Sequence, residues 1–349
     1  MRPRAVAGRP PDGFCRGTSR LAHSAPPTAE NDSNTAIIDP RLGPLMPRKA
    51  LAWLLVPVLG LTELGAHAYF SSRPPSPEQW AAARPAVAEL RRHGELIVVA
   101  PHWAEPNARA AFGDALMPLA DVARADESTY ARAIEVSIIG STAPELDGWK
   151  LVEERRAGKL RLRVLENPAP AHPSFDFIEA VPSAKVADLR GDGESPCSFT
   201  TTARRSAGGL HGDPAFPSAR HMCGGGEAHF VGVTVVEDSQ WRGRRCIWAE
   251  PTNGAELSIR YSDVPLGSIL RGYGTLPWWV ERELKGTPVE MRIFVGGEEM
   301  ASYVHRDGQG WRRFELPLGA HAGTRAEVEF RIGSRRPHDR QFCFQADTR

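Results

Sequence analysis

Residues 229–349 carry the pattern that most restricts the fold of this chain. Short segments of largely alternating apolar and polar residues recur between turn signals, as in Val289–Val295, which Gly296-Gly297 follows as a two-residue hairpin turn. About eight strands at this spacing predict a β-sandwich or jelly roll. The predicted strands are His229–Glu237, Arg245–Ala249, Glu256–Tyr261, Ser268–Arg271, Val289–Val295, Glu299–His305, Gly310–Glu315, Ala326–Ile332 and Gln341–Gln345.

A small α/β domain is predicted over residues 94–166. Leu96–Ala100 is a continuous apolar run, typical of a strand that is buried on both faces. Pro106 suits the first position of a helix that reaches about Met117. A second strand at Ala133–Ile139 and a hairpin of Trp149–Arg155 with Lys159–Glu166 complete this domain.

Two connecting regions flank the α/β domain. Residues 71–93 predict a helical spacer, in which Ser76 and Gln79 form a capping box around Pro77. Residues 167–228 are rich in Pro, Gly, Ser and Ala and predict a loop-rich linker. The whole chain is therefore predicted to be an α+β protein of two domains.

An apolar run at Ala50–Phe70, preceded by Arg48 and Lys49, predicts where the protein works. The run is long enough for a single transmembrane helix. Its core, Ala50–Leu61, also has the length of a signal-peptide core, and Ala66-His67-Ala68 has the form of a cleavage site. We expect either a membrane anchor over 50–70 or secretion after cleavage near Ala68. Both place the body outside the cytoplasm, in the periplasm or at the cell surface.

The first 49 residues predict a disordered cytoplasmic arm. They are rich in Pro, Arg, Ser and Ala and show no hydrophobic period. Met46 directly precedes the basic flank of the apolar run. The alternative is that Met46 is the true start and that residues 1–45 are not translated.

Charge and cysteine content predict an exported globular body. The formal net charge of +1 gives no reason to expect a nucleic-acid partner. Besides Cys15 in the arm, four cysteines remain, which predict two disulfides in an oxidising compartment. We pair Cys246 with Cys343, because the early and last strands of a sandwich are often neighbours, and Cys197 with Cys223.

A zinc site is the alternative use of the cysteines at 197 and 223. His211, His221 and His229 lie in the same stretch of sequence. The spacing of these residues fits no common zinc pattern. We therefore expect no metal ion there.

The loop after the first α/β strand holds the candidate catalytic residues. His102 and Glu105 with Asp114 behind them offer groups for acid–base chemistry at the edge where an α/β sheet places its sites. The alternative is that His102 and Trp103 cap the sheet and that Asp114 is solvated. The sequence contains no GxGxxG after this strand, no GxSxG and no Walker motif.

Trp278 and Trp279 are the candidate ligand-binding residues, together with Tyr273 and Arg271. The two tryptophans follow Pro277 in a predicted loop, where aromatic faces offer a platform for sugar rings. The alternative is that one of the two rings fills the sandwich core while the other lies on its surface.

The C-terminal domain resembles galactose-binding-like and carbohydrate-binding jelly rolls. The resemblance lies in the hairpin Val289–His305, the turn and strand Asp307–Phe314 and the strand Gly323–Arg331. It implies glycan binding through loops with aromatic rings. Some domains of this kind hold a structural calcium ion, and apart from that alternative we expect no cofactor. Such an ion would use the side chain of Asp307. One side chain supplies far fewer than the six to eight oxygen ligands that calcium requires.

Residues 94–165 resemble the extracytoplasmic domain of polyisoprenol-dependent (type C) membrane glycosyltransferases. The resemblance lies in the strand Leu96–Ala100, the loop with Pro101 and Trp103, and the strand Ala131–Ser137. The multi-span catalytic part of that family is not in this sequence, so its activity does not carry over.

The expected function is that of a membrane-anchored extracytoplasmic envelope protein without catalysis. Its β-sandwich is expected to bind a glycan or another envelope component. The alternative is an enzyme or accessory subunit that acts on cell-surface glycans, with its site in the 101–109 loop.

Overall fold

The computed structural model describes residues 48–206, 215–224, 226, 228–338 and 340–349. By their internal contacts, residues 65–349 group as one unit and residues 48–64 group apart from it. The helices are α1 (Arg48–Ser72), α2 (Pro77–Leu90), α3 (Glu105–Phe112), α4 (Leu119–Val122) and α5 (Trp278–Glu281). The strands are β1 (Leu96–Ala100), β2 (Arg132–Ser137), β3 (Lys150–Ala157), β4 (Leu160–Glu166), β5 (Phe175–Asp176), β6 (Lys185–Arg190), β7 (Gly193–Pro196), β8 (Ser198–Thr200), β9 (Arg220–Met222), β10 (Phe230–Glu237), β11 (Gly243–Ala249), β12 (Glu256–Pro265), β13 (Ile269–Thr275), β14 (Val289–Val295), β15 (Glu298–His305), β16 (Arg312–Pro317), β17 (Arg325–Ser334) and β18 (Phe342–Thr348).

The apolar run forms α1, which begins at Arg48. Within the part of the chain that the structure describes, no helix has the length and apolar character needed to cross a membrane. The predicted transmembrane helix over 50–70 is therefore not supported. The polar side chains of Thr62, Glu63 and His67 interrupt the apolar sequence and oppose insertion. The predictions for residues 1–47, including a start at Met46, lie outside the described residues.

The α/β domain has a four-stranded sheet of order β1-β2-β4-β3. β1 and β2 are parallel, and the other neighbours are antiparallel. Trp80 and Val87 of α2 and Phe112 of α3 pack against one face of this sheet. The predicted capping box of Ser76 and Gln79 is present, and α2 continues through Pro85.

The C-terminal domain is an antiparallel β-sandwich. One sheet runs β16-β13-β18-β11-β10-β9-β8 with β5 added beside β18, and the other runs β15-β14-β17-β12-β6-β7. Each of the nine strands predicted over 229–349 is present, as β10 to β18. The core between the sheets includes edge-to-face contacts of Phe177 with Tyr261 and Phe330. The prediction of a β-sandwich is confirmed.

The region predicted as a linker contributes strands to the sandwich. β6 pairs with β12 in one sheet, and β9 pairs with β10 in the other. The strands within residues 167–228 are only two to six residues long. Such short strands give too little alternation to stand out among the many Pro and Gly residues.

Both predicted disulfides are confirmed. Cys197 is bonded to Cys223, and Cys246 is bonded to Cys343. The second bond joins β11 to β18, which are neighbouring strands, as expected for the early and last strands of the sandwich. It packs in a small cluster with Phe230 and Trp248.

We predict that loss of the Cys246–Cys343 bond lowers the melting temperature sharply. The bond joins residues 97 positions apart, and closing a loop of this length contributes at most about 4–5 kcal/mol in the chain-entropy model. The comparison is thermal unfolding of the wild type and Cys343→Ala, with Cys15→Ser as the control. Equal melting temperatures for the wild type and Cys343→Ala would contradict the prediction.

Candidate functional site

A pair of tryptophans, one exposed and one partly buried, forms a distinctive surface of the sandwich. The ring centroids of Trp241 and Trp278 are 4.2 Å apart, with the planes tilted by 34°. The guanidinium carbon of Arg282 lies 4.6 Å from the centroid of the Trp278 ring. Trp278 is thus held between Trp241 and Arg282, while Trp241 is 51% exposed. We call the surrounding cavity of about 230 Å³ the aromatic pocket; its lining is Ser239, Trp241, Trp278, Glu281, Arg282, Leu284 and Gly308.

Two bulky residues of this pocket have left-handed backbone. The φ angles are 62° at Trp241 and 54° at Leu284. This conformation is uncommon for large side chains and persists only where the surroundings enforce it. At Trp241 the enforcement comes from Asp238, whose carboxylate accepts hydrogen bonds from the backbone N–H groups of Gln240 and Arg242. The turn thus holds the Trp241 ring against Trp278.

The floor of the aromatic pocket is the buried carboxylate of Glu281, which is 1% exposed. Its Oε1 accepts from Thr275 Oγ1 at 3.2 Å, from Leu276 N at 3.1 Å and from His305 Nε2 at 2.8 Å. Its Oε2 accepts from Gly310 N at 2.7 Å. Because each oxygen is satisfied, the carboxylate is a fixed wall of the pocket rather than a free charge.

A hydrogen-bonded chain continues from this floor into the sandwich. With His305 Nε2 donating to Glu281, the other ring nitrogen accepts from the Tyr303 hydroxyl at 2.9 Å. Burial raises the pKa of Tyr303, and the charge of Glu281 adds to that effect. Tyr303 therefore stays protonated and serves as a donor.

The two predicted tryptophans have different environments. Trp279 packs against the core between the sheets. Trp278 stands nearly perpendicular to it, with centroids 6.1 Å apart, and pairs with Trp241. Both rings are partly buried, and the Nε1 atom of Trp278 is itself buried. The assignment of both rings to ligand binding remains a prediction.

Tyr273 and Arg271 do not line the aromatic pocket. The Tyr273 hydroxyl donates to Asp126 of the α/β domain at 2.7 Å, and its ring stacks on Trp311 at 5.4 Å. Arg271 is 2.7 Å from Glu315 and 3.8 Å from Asp126. Both side chains project from β13 towards the segment that joins α4 to β2. A buried tyrosine hydroxyl needs a partner, and here the α/β domain supplies it.

Trp241 is the pocket residue that our sequence reasoning missed. It belongs to the turn Asp238–Arg242, and Trp278 lies 37 positions later in the chain. The sequence signal that could have identified Trp241 is a tryptophan in a tight turn directly after a strand. Nothing in the local sequence indicated that its ring would meet Trp278.

Of the candidate catalytic residues, the structure brings two together. His102 lies in a 3-10 helix after β1, and Glu105 begins α3. His102 Nδ1 is 3.6 Å from Glu105 Oε2. Asp114 is 81% exposed and pairs with Arg109 at 2.9 Å, which matches the expectation of a solvated residue.

The environment changes the ionisation of the His102–Glu105 pair. Burial, together with the charge of Arg242, lowers the pKa of His102 to about 4. Burial raises the pKa of Glu105, although the charges of Arg124 and Arg242 oppose this shift. Shifts of this kind occur at catalytic sites and in structural ion-pair networks. Such a network is present, because Arg242 pairs with Glu145 at 3.2 Å.

The residues of the alternative zinc site serve other purposes. The cysteines at 197 and 223 are bonded to each other, and His211 lies outside the described residues. His221 contacts the carbonyl oxygen of Val181 at 2.8 Å. Within the described ranges, no group of three or more His, Cys, Asp or Glu side chains is arranged to hold a metal ion.

The surroundings of Asp307 do not suit a calcium ion. One carboxylate oxygen pairs with Arg340 Nη1, and the other accepts from Gly286 N at 2.7 Å. Calcium requires six to eight oxygen ligands. Asp307 instead serves as the buried partner of an arginine.

His229 is a buried cation that links the two sheets. Its Nε2 is 2.9 Å from Asp188 on β6, and its Nδ1 is 3.0 Å from the carbonyl oxygen of Glu250 after β11. Because both partners are acceptors, both ring nitrogens donate and the imidazole is protonated. Burial alone would lower the pKa of His229, but the hydrogen bond and charge of Asp188 raise it above the ordinary value of 6.5.

We predict that His229→Gln destabilises the protein more at acidic than at alkaline pH. The native state binds the His229 proton more tightly than the unfolded chain does. The resulting stabilisation is full below about pH 6.5 and disappears as the pH rises through the raised native pKa. Urea unfolding of wild type and variant at about pH 5.5 and pH 9 measures the difference. A loss of stability that is the same at both pH values would contradict the assignment.

No family model and no curated protein matches this chain. Among solved structures, the CBM51-2 domain with GlcNAc and the INT domains of Clostridium perfringens ZmpB is similar over 47% of this chain and 37% of its own, with 12% identity and a TM-score of 0.27. CBM51 of Clostridium perfringens GH95 in complex with methyl-galactose is similar over 34% and 81%, with 8% identity and a TM-score of 0.25. TmCBM61 in complex with β-1,4-galactotriose is similar over 33% and 77%, with 14% identity and a TM-score of 0.22.

All three are carbohydrate-binding modules, and the chain spans 37% of the length of the first. Likeness at these TM-scores carries no argument about the ligand of this chain. The description of residues 229–349 as a β-sandwich depends on the strands themselves. The resemblance of residues 94–165 to membrane glycosyltransferases is not shown by these structures.

Proposed function

We propose that this protein binds glycans through the aromatic pocket of its β-sandwich. The observation that supports this proposal is that the Trp241 ring is half exposed and is fixed against Trp278. Aromatic rings bury a large area at low cost in side-chain entropy, and their faces suit the C–H surfaces of sugars. Arg282 beside Trp278 and Ser239 at the rim offer polar groups for sugar hydroxyls.

The rigidity of the aromatic pocket favours binding. The Asp238 turn fixes Trp241, and the buried Glu281 carboxylate fixes the one-turn helix α5 that carries Trp278. A ligand that binds to rings already held in place has less motion to immobilise. A concave apolar surface with a few fixed polar groups is the usual form of a small-ligand site.

We predict that Trp241→Ala lowers glycan affinity at least about tenfold, because loss of a central aromatic contact typically costs about 2 kcal/mol or more and tenfold corresponds to about 1.4 kcal/mol. Trp278→Ala should have a similar effect, since Trp278 supports the Trp241 ring. The measurement is a glycan array with the full-length protein, followed by calorimetry on the best ligand.

Trp103→Ala is the matched control for these variants. Trp103 is 58% exposed and belongs to the α/β domain. Its replacement removes the same side chain from a surface that the proposal does not use. Equal losses in Trp103→Ala and Trp241→Ala would place the glycan elsewhere, and a wild-type protein that binds no glycan would overturn the proposal.

We also propose that the protein works outside the cytoplasm. The support is the pair of disulfides, since such bonds persist in oxidising compartments. The basic flank and apolar core at the start of α1 have the composition of an export segment. The N-terminal sequence of the exported protein would separate cleavage near Ala68 from a retained anchor, and recovery of the folded protein only from the cytoplasm would overturn the proposal.

A second candidate function is acid–base catalysis on a glycan by His102 and Glu105. The favouring observation is that burial keeps the imidazole neutral and raises the pKa of the carboxyl group. A neutral base beside a carboxyl group whose pKa is raised is a usual arrangement in such a site. The site would act beside the glycan held by the sandwich.

We predict for this second candidate that His102→Ala abolishes hydrolysis of a bound glycan while leaving binding unchanged. Product release by the wild type and the variant would be followed by chromatography of the oligosaccharides. Asp114→Ala is the control, because Asp114 is exposed and lies apart from the pair. Absence of any wild-type turnover of a glycan that binds tightly would exclude this candidate for that glycan.

A further inference from the structure

A second cavity lies on the opposite face of α5 from the aromatic pocket. Residues 278, 281 and 282 line the aromatic pocket, whereas residues 279, 280 and 283 line the second cavity, as expected for two faces of one helical turn. Its volume is about 390 Å³. We call it the basic pocket; its lining is Trp279, Val280, Glu283, Lys285, Gly286, His338 and Arg340.

Arg340 is held in a fixed position at the basic pocket. Its side chain is 5% exposed, and its Nη1 pairs with Asp307. Asp307 also accepts from Gly286 N, so it ties the arginine to the segment after α5. A side chain at Gly286 would begin 1.8 Å from the guanidinium carbon, so only glycine leaves room for this arginine.

The guanidinium of Arg340 has donors that the protein does not use. Its Nε is buried and has no hydrogen-bond partner among the residues that the structure describes. Asp307 engages only one of the five N–H groups of the guanidinium. A buried donor without a partner carries a free-energy cost that a well-placed acceptor removes. A planar guanidinium matches the geometry of a carboxylate.

Lys285 adds a second positive charge at the rim of this pocket. Its amino group is 3.0 Å from Glu283, and the two side chains are 75% and 57% exposed. Exposed ion pairs of this kind contribute little to stability, so an incoming anion can replace Glu283 as the partner of Lys285. Trp279 and Val280 supply an apolar wall, as a sugar ring beside a carboxylate requires.

We infer that the glycan bound by this protein is acidic, with a sugar carboxylate in the basic pocket beside a ring on the aromatic pocket. This inference depends on the proposed glycan binding. The centroids of Trp278 and Trp279, which border the two pockets, are only 6.1 Å apart. The two linings also adjoin after α5, where Leu284 of the aromatic pocket is followed directly by Lys285 of the basic pocket. An oligosaccharide that passes over this segment would place neighbouring sugars in both pockets.

The test compares an oligogalacturonide with its carboxyl-reduced counterpart, using the full-length protein. The wild type is expected to bind the acidic form about tenfold or more tightly, because a hydrogen bond to a charged group contributes roughly 1.5–3 kcal/mol. Lys285→Glu and Arg340→Gln should lose this preference while keeping their affinity for the reduced form. A sialylated oligosaccharide and its reduced form, measured in parallel, distinguish the two common sources of a sugar carboxylate.

The control for Lys285→Glu is Lys150→Glu, which makes the same change of net charge on exposed β3 of the α/β domain. Lys285→Glu is the decisive variant, because Lys285 is exposed and its replacement does not disturb the buried Asp307–Arg340 pair. Equal wild-type affinity for the acidic and reduced forms overturns the inference of an acidic glycan but not the proposal that glycans bind at the aromatic pocket. If Lys150→Glu also loses the preference for the acidic form, the inference is overturned too. If the wild type binds neither form, both the inference and the proposed glycan binding are overturned.

Discussion

The buried carboxylate of Glu281 is the interaction on which this end of the sandwich depends. It gathers donors from the end of β13, the end of β15 and the turn at Gly310. A buried carboxylate without these partners would cost several kcal/mol, so the three backbone segments are held where their donors meet it. A helix of one turn has no stability of its own. Trp278 and Arg282 owe their positions to the carboxylate that anchors α5.

Asp307 extends the same arrangement to the neighbouring cavity. It follows β15 by two residues and binds both Arg340 and the backbone of Gly286. Two buried carboxylates, each with its own partners, therefore fix the segment 278–286 from both sides. This one rigid segment lines both the aromatic pocket and the basic pocket. One extended ligand that occupies both pockets therefore explains their arrangement better than two unrelated ligands do.

The fold was largely predictable from the sequence, whereas the candidate site was not. Alternation along a strand is a local property, so all nine strands of residues 229–349 were found. The stacking of Trp241 on Trp278 requires a left-handed turn and a contact between distant segments. Tyr273 is close to Trp278 in sequence, but its side chain projects from β13 towards Asp126. Proximity in sequence therefore led us to assign Tyr273 and Trp278 to one site, although the strand directs the Tyr273 side chain away from the aromatic pocket.

His229 and His102 show how environment decides between structural and chemical roles. His229 faces two acceptors and is a cation, while burial and the charge of Arg242 keep His102 neutral. The His102–Glu105 separation of 3.6 Å is too long for a hydrogen bond, so no proton is shared there. At the aromatic pocket, by contrast, the Glu281 oxygens are satisfied and the rings are fixed. Preorganisation is complete at the aromatic pocket and incomplete at the acid–base pair, which supports the proposal of recognition over that of catalysis.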